Sequence, residues 1–236
     1  MNTPFPFKQH VRTPFPGDLV PRLALHVLTD HRWSHGSDIL TVASAALDGG
    51  ATAIQLRDKT ASTRLLVEEG LALRTLTRKR SALLIVNDRI DVALAVDADG
   101  VHIGQDDDMP AHLARQLLGP KRILGISAGN MEEVSVAISA NADYLSIGPI
   151  YSTHAKADAG PPIGTRLLLA AAARYTTPLI AIGGISAENV GEVIQAGAIG
   201  VAVISAIVGA EDIASAAQSI SSAIQRALAL HVARNV

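Results

Sequence analysis

The segment Gln55-Leu56-Arg57-Asp58-Lys59 closes a short apolar run with an amide and two cations. Side chains alternate across an extended chain, so Gln55, Arg57 and Lys59 point one way and Leu56 and Asp58 the other. Cations aimed into an apolar interior are costly unless an anion meets them, and arginine matches phosphate in geometry. An anion site is the expected reading here, ahead of a solvated loop. Two later apolar runs end in Val86-Asn87-Asp88-Arg89 and in His102-Ile103-Gly104-Gln105-Asp106-Asp107. Neighbouring parallel strands lie about 4.8 Å apart, so the two ends would adjoin. Asp88 and Asp107, beside the Asn87 amide, then suit a hard divalent cation such as Mg2+, with substrate phosphates and water completing its shell. Taken singly, Asp88 could instead cap a helix starting at Ile90, and Asp107 or Asp108 one starting near Pro110. His26 and His102 are expected to be hydrogen-bonded core histidines.

Gly125-Ile126-Ser127-Ala128-Gly129 matches the G-x-S-x-G elbow of serine hydrolases. Asp143, His154 and Asp158 follow it, but no HGGG-like oxyanion segment is present. Ser127 is therefore read as a hydroxyl donor to an anion. The exit Gly148-Pro149-Ile150-Tyr151-Ser152-Thr153-His154-Ala155-Lys156 opens the longest loop, which runs through Gly160-Pro161-Pro162 to Gly164. Loops of that length are commonly lids or binding loops. Two further runs end in Gly183-Gly184-Ile185 and in Ile204-Ser205-Ala206. Backbone amides at such ends hold phosphate, and glycine lets an anion approach the chain closely.

These residues need a scaffold that gathers strand ends. Apolar runs without polar alternation occur at Leu23–Leu28, Ala53–Leu56, Ala82–Val86, Gly100–Ile103, Arg122–Ile126, Tyr144–Ile147, Pro178–Ile182 and Ile199–Ile204. That is the signature of parallel strands buried on both faces. Helical spacing lies between them, as at Leu65, Leu66, Gly70, Leu73 and Leu76, or at Val134, Val136, Ala137 and Ala140. The approaches Gly50-Ala51-Thr52-Ala53, Asp97-Ala98-Asp99-Gly100, Asn141-Ala142-Asp143-Tyr144 and Gly197-Ala198-Ile199-Gly200 repeat one pattern. Glycine or asparagine is expected to supply the left-handed helix cap in each. Eight strands each followed by a helix make a (β/α)8 TIM barrel, an α/β fold whose chemistry sits at the carboxyl ends of the strands. The open doubly wound sheet is disfavoured, since neither G-x-G-x-x-G nor a Walker A segment occurs.

Residues 22–236 are read as this single domain, preceded by a Pro/Phe-rich extension over 1–21. The extension holds five of the eleven prolines and every phenylalanine, with Thr-Pro-Phe-Pro at Thr3 and again at Thr13. Poor order is expected there. A net charge of −2 and 3% aromatic content argue against nucleic-acid partners. The longest apolar run, Ala198 to Ala210, is too short for a membrane span. Zero cysteines exclude thiol catalysis and disulfide scaffolds. With no uninterrupted apolar segment after the start, a cytoplasmic protein acting on small molecules is expected. A homo-oligomer is compatible with all of this.

In order along the chain, Gln55 to Lys59, Asn87-Asp88, Gly104 to Asp107, Gly148 to Tyr151, Lys156, Gly183 to Ile185 and Val203 to Ser205 resemble the thiamine phosphate synthase family. The resemblance runs from about Leu25 to Asp212. It implies the joining of 4-amino-2-methyl-5-pyrimidinylmethyl diphosphate to a thiazole phosphate, through a dissociative step that releases pyrophosphate. It puts the pyrimidine and diphosphate on Gln55, Arg57, Lys59, Asn87, Ser127 and Lys156, with Arg57, Lys59, Ser127 and Lys156 catalytic. Magnesium falls to Asp88 and Asp107, and the thiazole phosphate to Thr153, Ala155, Gly184, Ile204 and Ser205. Two departures stand out. Ala155 replaces the second threonine of the family's Thr-x-Thr-Lys, and Gly129-Asn130 stands where many members carry a histidine. A histidine there marks the related thiazole tautomerases, which lack the metal aspartates, so the synthase is favoured. A tautomerase-like isomerase and a non-catalytic precursor-binding barrel are the alternatives.

Overall fold

The structure is a computed structural model that describes residues 19–104, 109–155 and 160–234. Its strands are β1 (Leu25–Leu28), β2 (Ala53–Leu56), β3 (Leu83–Asn87) and β4 (Gly100–Ile103). They continue with β5 (Ile123–Ala128), β6 (Tyr144–Ile147), β7 (Leu179–Ile182) and β8 (Gly200–Val203). All pair in parallel in chain order, and β8 returns to β1, closing a TIM barrel. A turn of helix, α1 (Leu19–Arg22), precedes β1. The connecting helices are α2 (Ile39–Asp48), α3 (Thr63–Lys79), α4 (Ile90–Ala95), α5 (Ala111–Leu118), α6 (Met131–Ser139), α7 (Arg166–Arg174) and α8 (Val190–Gln195). The short α9 (Ser205–Val208) and the long α10 (Ile213–Arg234) follow β8. No helix among the described residues is long and apolar enough to cross a membrane.

Strand parity splits the core in two. Leu25, Val27, Ile54, Leu56, Leu84, Val86, Leu124 and Ile126 join the layer between sheet and helices. Their alternates, Leu28, Ala53, Leu83, Ile85, Ile123, Tyr144, Ile180 and Ala202, fill the barrel. Burial on both sides is why the runs carry no polar alternation. Tyr144 fits inside because Gly125 has no side chain, and a Cβ there would lie 2.1 Å from the phenol ring.

Two expectations need correction. The left-handed residues of the repeated approaches are Gly50, Asp97, Asn141 and Gly197, so an aspartate takes the role in one of the four. Aspartate tolerates that region because its short side chain bonds locally. Leu65 and Val136 are 40% and 52% exposed, whereas Leu66, Leu73, Val134 and Ala137 are buried. Each helix buries only a stripe, and the two residues lie off it. At the amino end, α1 covers Leu19–Arg22, and its Leu19 packs against the barrel interior. Residues 1–18 lie outside the described residues.

Candidate active site

The ends of β1 and β2 form one side of the barrel mouth. Gln55, on β2, and Arg57, just past its end, are 2% and 6% exposed. Arg57 Nη1 donates to Asp30 Oδ2 at 3.0 Å. Asp30 also receives Arg32 Nε at 3.0 Å and Nη2 at 2.7 Å. Burial pushes the Asp30 carboxyl upward, but the Arg32 hydrogen bonds and the charges of Arg32 and Arg57 outweigh it and hold the group below its ordinary value. Arg32 Nη2 further donates to the Ala155 carbonyl at 2.9 Å, tying the β1 exit to the loop after β6. Thr29 stitches the strands, since its hydroxyl accepts from the Arg57 amide at 3.0 Å. Gln55 Oε1 and Arg57 Nε are buried with no hydrogen-bond partner among the described residues. Buried polar atoms rarely stay unpaired, so both suit a polar ligand.

Asp58 follows Arg57 past the end of β2 and lines the same groove as Arg57 and Lys59. Its Oδ1 accepts from the Thr60 amide at 2.8 Å and the Ala61 amide at 3.0 Å, an Asx turn that shapes the loop after Lys59. Lys59 lines two grooves. One, about 350 Å3, also has Asp30, Arg32 and Arg57; the other, about 590 Å3, has Asn87 and Asp88.

Asp88 adopts a left-handed φ of 60°. Its amide donates to the His102 carbonyl at 2.8 Å, and its carboxylate accepts from Asn87 Nδ2 at 2.5 Å. The N-cap of α4 is Arg89, with no side-chain cap, and that of α5 is Pro110. The capping role considered for Asp88 is therefore absent. A hard carboxylate beside an amide and a lysine, in an open groove, fits one ligand of a magnesium ion that takes further oxygens from phosphate and water. Among the described residues no group of three or more His, Cys, Asp or Glu side chains could hold a metal by itself. Asp107 and Lys156 lie outside the described residues.

The other side of the mouth is a cavity of about 400 Å3. Its lining joins Ser127 to Thr153, Ala155, Gly184, Ile204 and Ser205, so the expected thiazole set shares one space. Gly183 and Gly184 have φ of 96° and 66°. A Cβ on Gly184 would lie 2.7 Å from the Ser152 carbonyl oxygen, so only glycine lets the β6 and β7 exits touch. The Asn189 side chain pins the turn, donating to the Gly184 carbonyl at 2.8 Å and accepting from the Ser186 amide at 2.9 Å. Tyr151 donates to Glu192 Oε2 at 2.6 Å, and burial followed by that bond pushes its phenol up to about 12. The first amides of α9 begin beside Ser205, where a helix has donors to spare.

Ser127 lies within β5, one residue before its end, and not on a strained strand-to-helix turn. The hydrolase elbow is absent, although Ser127 does meet a histidine: His102 Nε2 lies 2.9 Å from its Oγ. The other ring nitrogen, Nδ1, faces the Tyr144 hydroxyl at 3.0 Å and not a carboxylate. His102 is thus the hydrogen-bonded core histidine expected. His26 is not. Both its ring nitrogens are buried without a partner among the described residues, and burial lowers its pKa to about 3. Gly129-Asn130, the histidine departure, has a structural use. Asn130 caps α6 by accepting from the Glu133 amide at 3.0 Å, while Glu133 returns to the Gly129 amide at 2.7 Å.

Sequence reasoning missed Asp30, Arg32 and Thr29. Their signal is the exit of the first apolar run, Leu28-Thr29-Asp30, which carries a hydroxyl and a carboxylate.

The thiamine monophosphate synthase family model matches residues 25–207. A thiamine-phosphate synthase of Chloroflexus aurantiacus is 52% identical over 196 residues, spanning 83% of this chain and 90% of that protein. One of Moorella thermoacetica is 50% identical over 208 residues, spanning 88% and 99%. Among solved structures, the thiamine phosphate pyrophosphorylase of Pyrococcus furiosus superposes with a TM-score of 0.82 at 42% identity, covering 89% of this chain and 100% of that one. With the family matched across the whole barrel and relatives similar over nearly their full lengths, this chain belongs to the thiamine-phosphate synthase family.

Proposed function

We propose that the chain condenses 4-amino-2-methyl-5-pyrimidinylmethyl diphosphate with 4-methyl-5-(2-phosphoethyl)thiazole to give thiamine phosphate and pyrophosphate, or with its carboxylated form to give the same products and CO2, a proton replacing the carboxylate on the ring carbon. The observation that carries this is the pairing of two unlike anion-suited regions on one barrel mouth. Buried and loop cations lie at the β1–β2 side, and glycines with a helix start lie at the β7–β8 side. Gln55 Oε1, buried and unpaired, accepts from the exocyclic amino group of the pyrimidine. Arg57, Lys59 and Lys156 bind the diphosphate, with Asn87 and the Ser127 hydroxyl beside it. Thr153, Ala155, Gly184, Ile204 and Ser205 receive the thiazole phosphate.

The methylene carbon–oxygen bond breaks with its electron pair left on the diphosphate oxygen. The thiazole nitrogen lone pair then forms the new carbon–nitrogen bond, and no proton has to move at these atoms. Charge grows on the diphosphate as the bond breaks, so Arg57, Lys59 and Lys156 hold the transition state more tightly than the bound substrate. Asp88 and Asp107 would hold a magnesium ion, which when bound would supply further positive charge at the diphosphate. The reaction is a transferase step and is assigned here to the cytoplasm.

The test supplies purified protein with both substrates and magnesium, and quantifies thiamine phosphate and pyrophosphate. Stoichiometric formation of both, dependent on each component, is expected. Thiazole isomerisation without condensation would identify a tautomerase, and binding without turnover a non-catalytic barrel.

A further inference from the structure

The interior holds a chain of three hydrogen-bonding side chains that the reaction above uses only at its last member. Tyr144 is fully buried, and its hydroxyl meets His102 Nδ1 at 3.0 Å. His102 Nε2 in turn meets Ser127 Oγ at 2.9 Å, at the wall of the cavity. The direction of each proton follows from satisfaction. Burial pushes the Tyr144 phenol far above its ordinary pKa, so it keeps its proton and needs an acceptor. The ring of His26 stands 5.9 Å away, centroid to centroid, and its nitrogens make no hydrogen bond among the described residues. His102 Nδ1 is the acceptor in reach, so it is unprotonated and the ring proton sits on Nε2. A doubly protonated ring would strand the Tyr144 proton in the interior. Nε2–H therefore donates to Ser127 Oγ. The serine then accepts from the histidine, and its own proton is turned away from His102.

We propose that His102, oriented by Tyr144, is a positioning residue that fixes Ser127 as a hydrogen-bond donor toward the reacting diphosphate. The role rests on the function proposed above. A hydroxyl whose acceptor side is already occupied needs no reorientation as charge develops, the property that makes preorganised donors effective.

The test is a double-mutant cycle in the full-length protein, reading kcat, KM for each substrate, and the thermal midpoint. His102→Leu is expected to lower kcat about tenfold to a hundredfold, but less than about twofold in a Ser127→Ala background, because coupled residues are non-additive. His102→Gln, which carries an N–H near the Nε2 position, should recover kcat to within about threefold of wild type. Tyr144→Phe releases the tautomer and should lower kcat about threefold to tenfold, again only when Ser127 is present. If His102→Leu does not fold, His102→Gln and Tyr144→Phe in both serine backgrounds decide. Additive losses, or a folded glutamine variant far below wild type, would overturn the inference while wild-type turnover leaves the proposed function standing. A wild type that makes no thiamine phosphate overturns that function, and this inference with it.

Discussion

Arg57 is 6% exposed and pairs with Asp30, which lies 3.0 Å from its Nη1 and is shared with Arg32. Removing one partner from a buried pair strands the other, at a cost of about 3–5 kcal/mol. Half-exposed Arg32 moderates that, so Asp30→Asn is expected to cost about 2 kcal/mol in a urea titration. It should also lower kcat about tenfold, since Arg57 loses its anchor and Arg32 its hold on the Ala155 carbonyl. Unchanged kinetics would mean that Asp30 is structural alone. Parity along β2 was enough to aim Gln55 and Arg57 inward from the sequence. Their counter-ion was not legible in the same way, because it comes from a strand end 27 residues earlier. The metal pair gives a second prediction. Asp88 does not cap α4, so Asp88→Asn should leave the thermal midpoint within about 2 °C while lowering turnover by orders of magnitude at limiting magnesium. Asp107→Asn should match it. Near-normal turnover in both variants would rule out the metal role.

Elements matter through their exits. The β6 and β7 ends touch at Gly183 and Gly184, Asn189 fixes the turn from below, and Tyr151 reaches across to Glu192 on α8. Gly184→Ala puts a Cβ at a φ of 66° and 2.7 Å from the Ser152 carbonyl oxygen, so the turn must shift. KM for the thiazole phosphate is expected to rise at least about tenfold, with KM for the pyrimidine diphosphate changed less than about twofold. Equal changes in both constants would place the two sites on one moving unit, contrary to this account. The strands were legible because burial on both faces leaves uninterrupted apolar runs, and the exits then followed from the fold. Helix faces were less so: Leu65 and Val136 look like stripe residues, yet 3.6-residue geometry turns them outward. The contacts among His102, Ser127 and Tyr144 span 25 and 42 residues, and only the β4–β5–β6 register creates them.

At the scale of the whole molecule, barrel closure buries a histidine that no ligand role explains. His26 sits on β1 with 0% exposure, its ring tilted 51° to that of Tyr144 and its nitrogens unpaired among the described residues. Burial lowers its pKa from 6.5 to about 3. The unfolded chain therefore binds a proton near pH 6.5 that the folded chain refuses until near pH 3. Between those values the unfolded state holds one more proton, so stability rises with pH and falls on acidification. The slope for one such proton is about 1.4 kcal/mol per pH unit. The stabilising carboxylates Asp30 and Asp58 have depressed values, and their contribution is lost below their ordinary range, so a His26 variant compared between pH 7 and pH 5 separates His26 from the other histidines and from Glu69, whose carboxyl burial pushes up. His26→Leu removes the proton site and keeps an apolar group of similar reach. Urea unfolding at pH 7 and pH 5 is expected to show wild type losing about 2 kcal/mol more than the variant. Parallel losses in the two proteins would mean that His26 takes up its proton in the fold as readily as out of it, and that the barrel interior admits a partner for it.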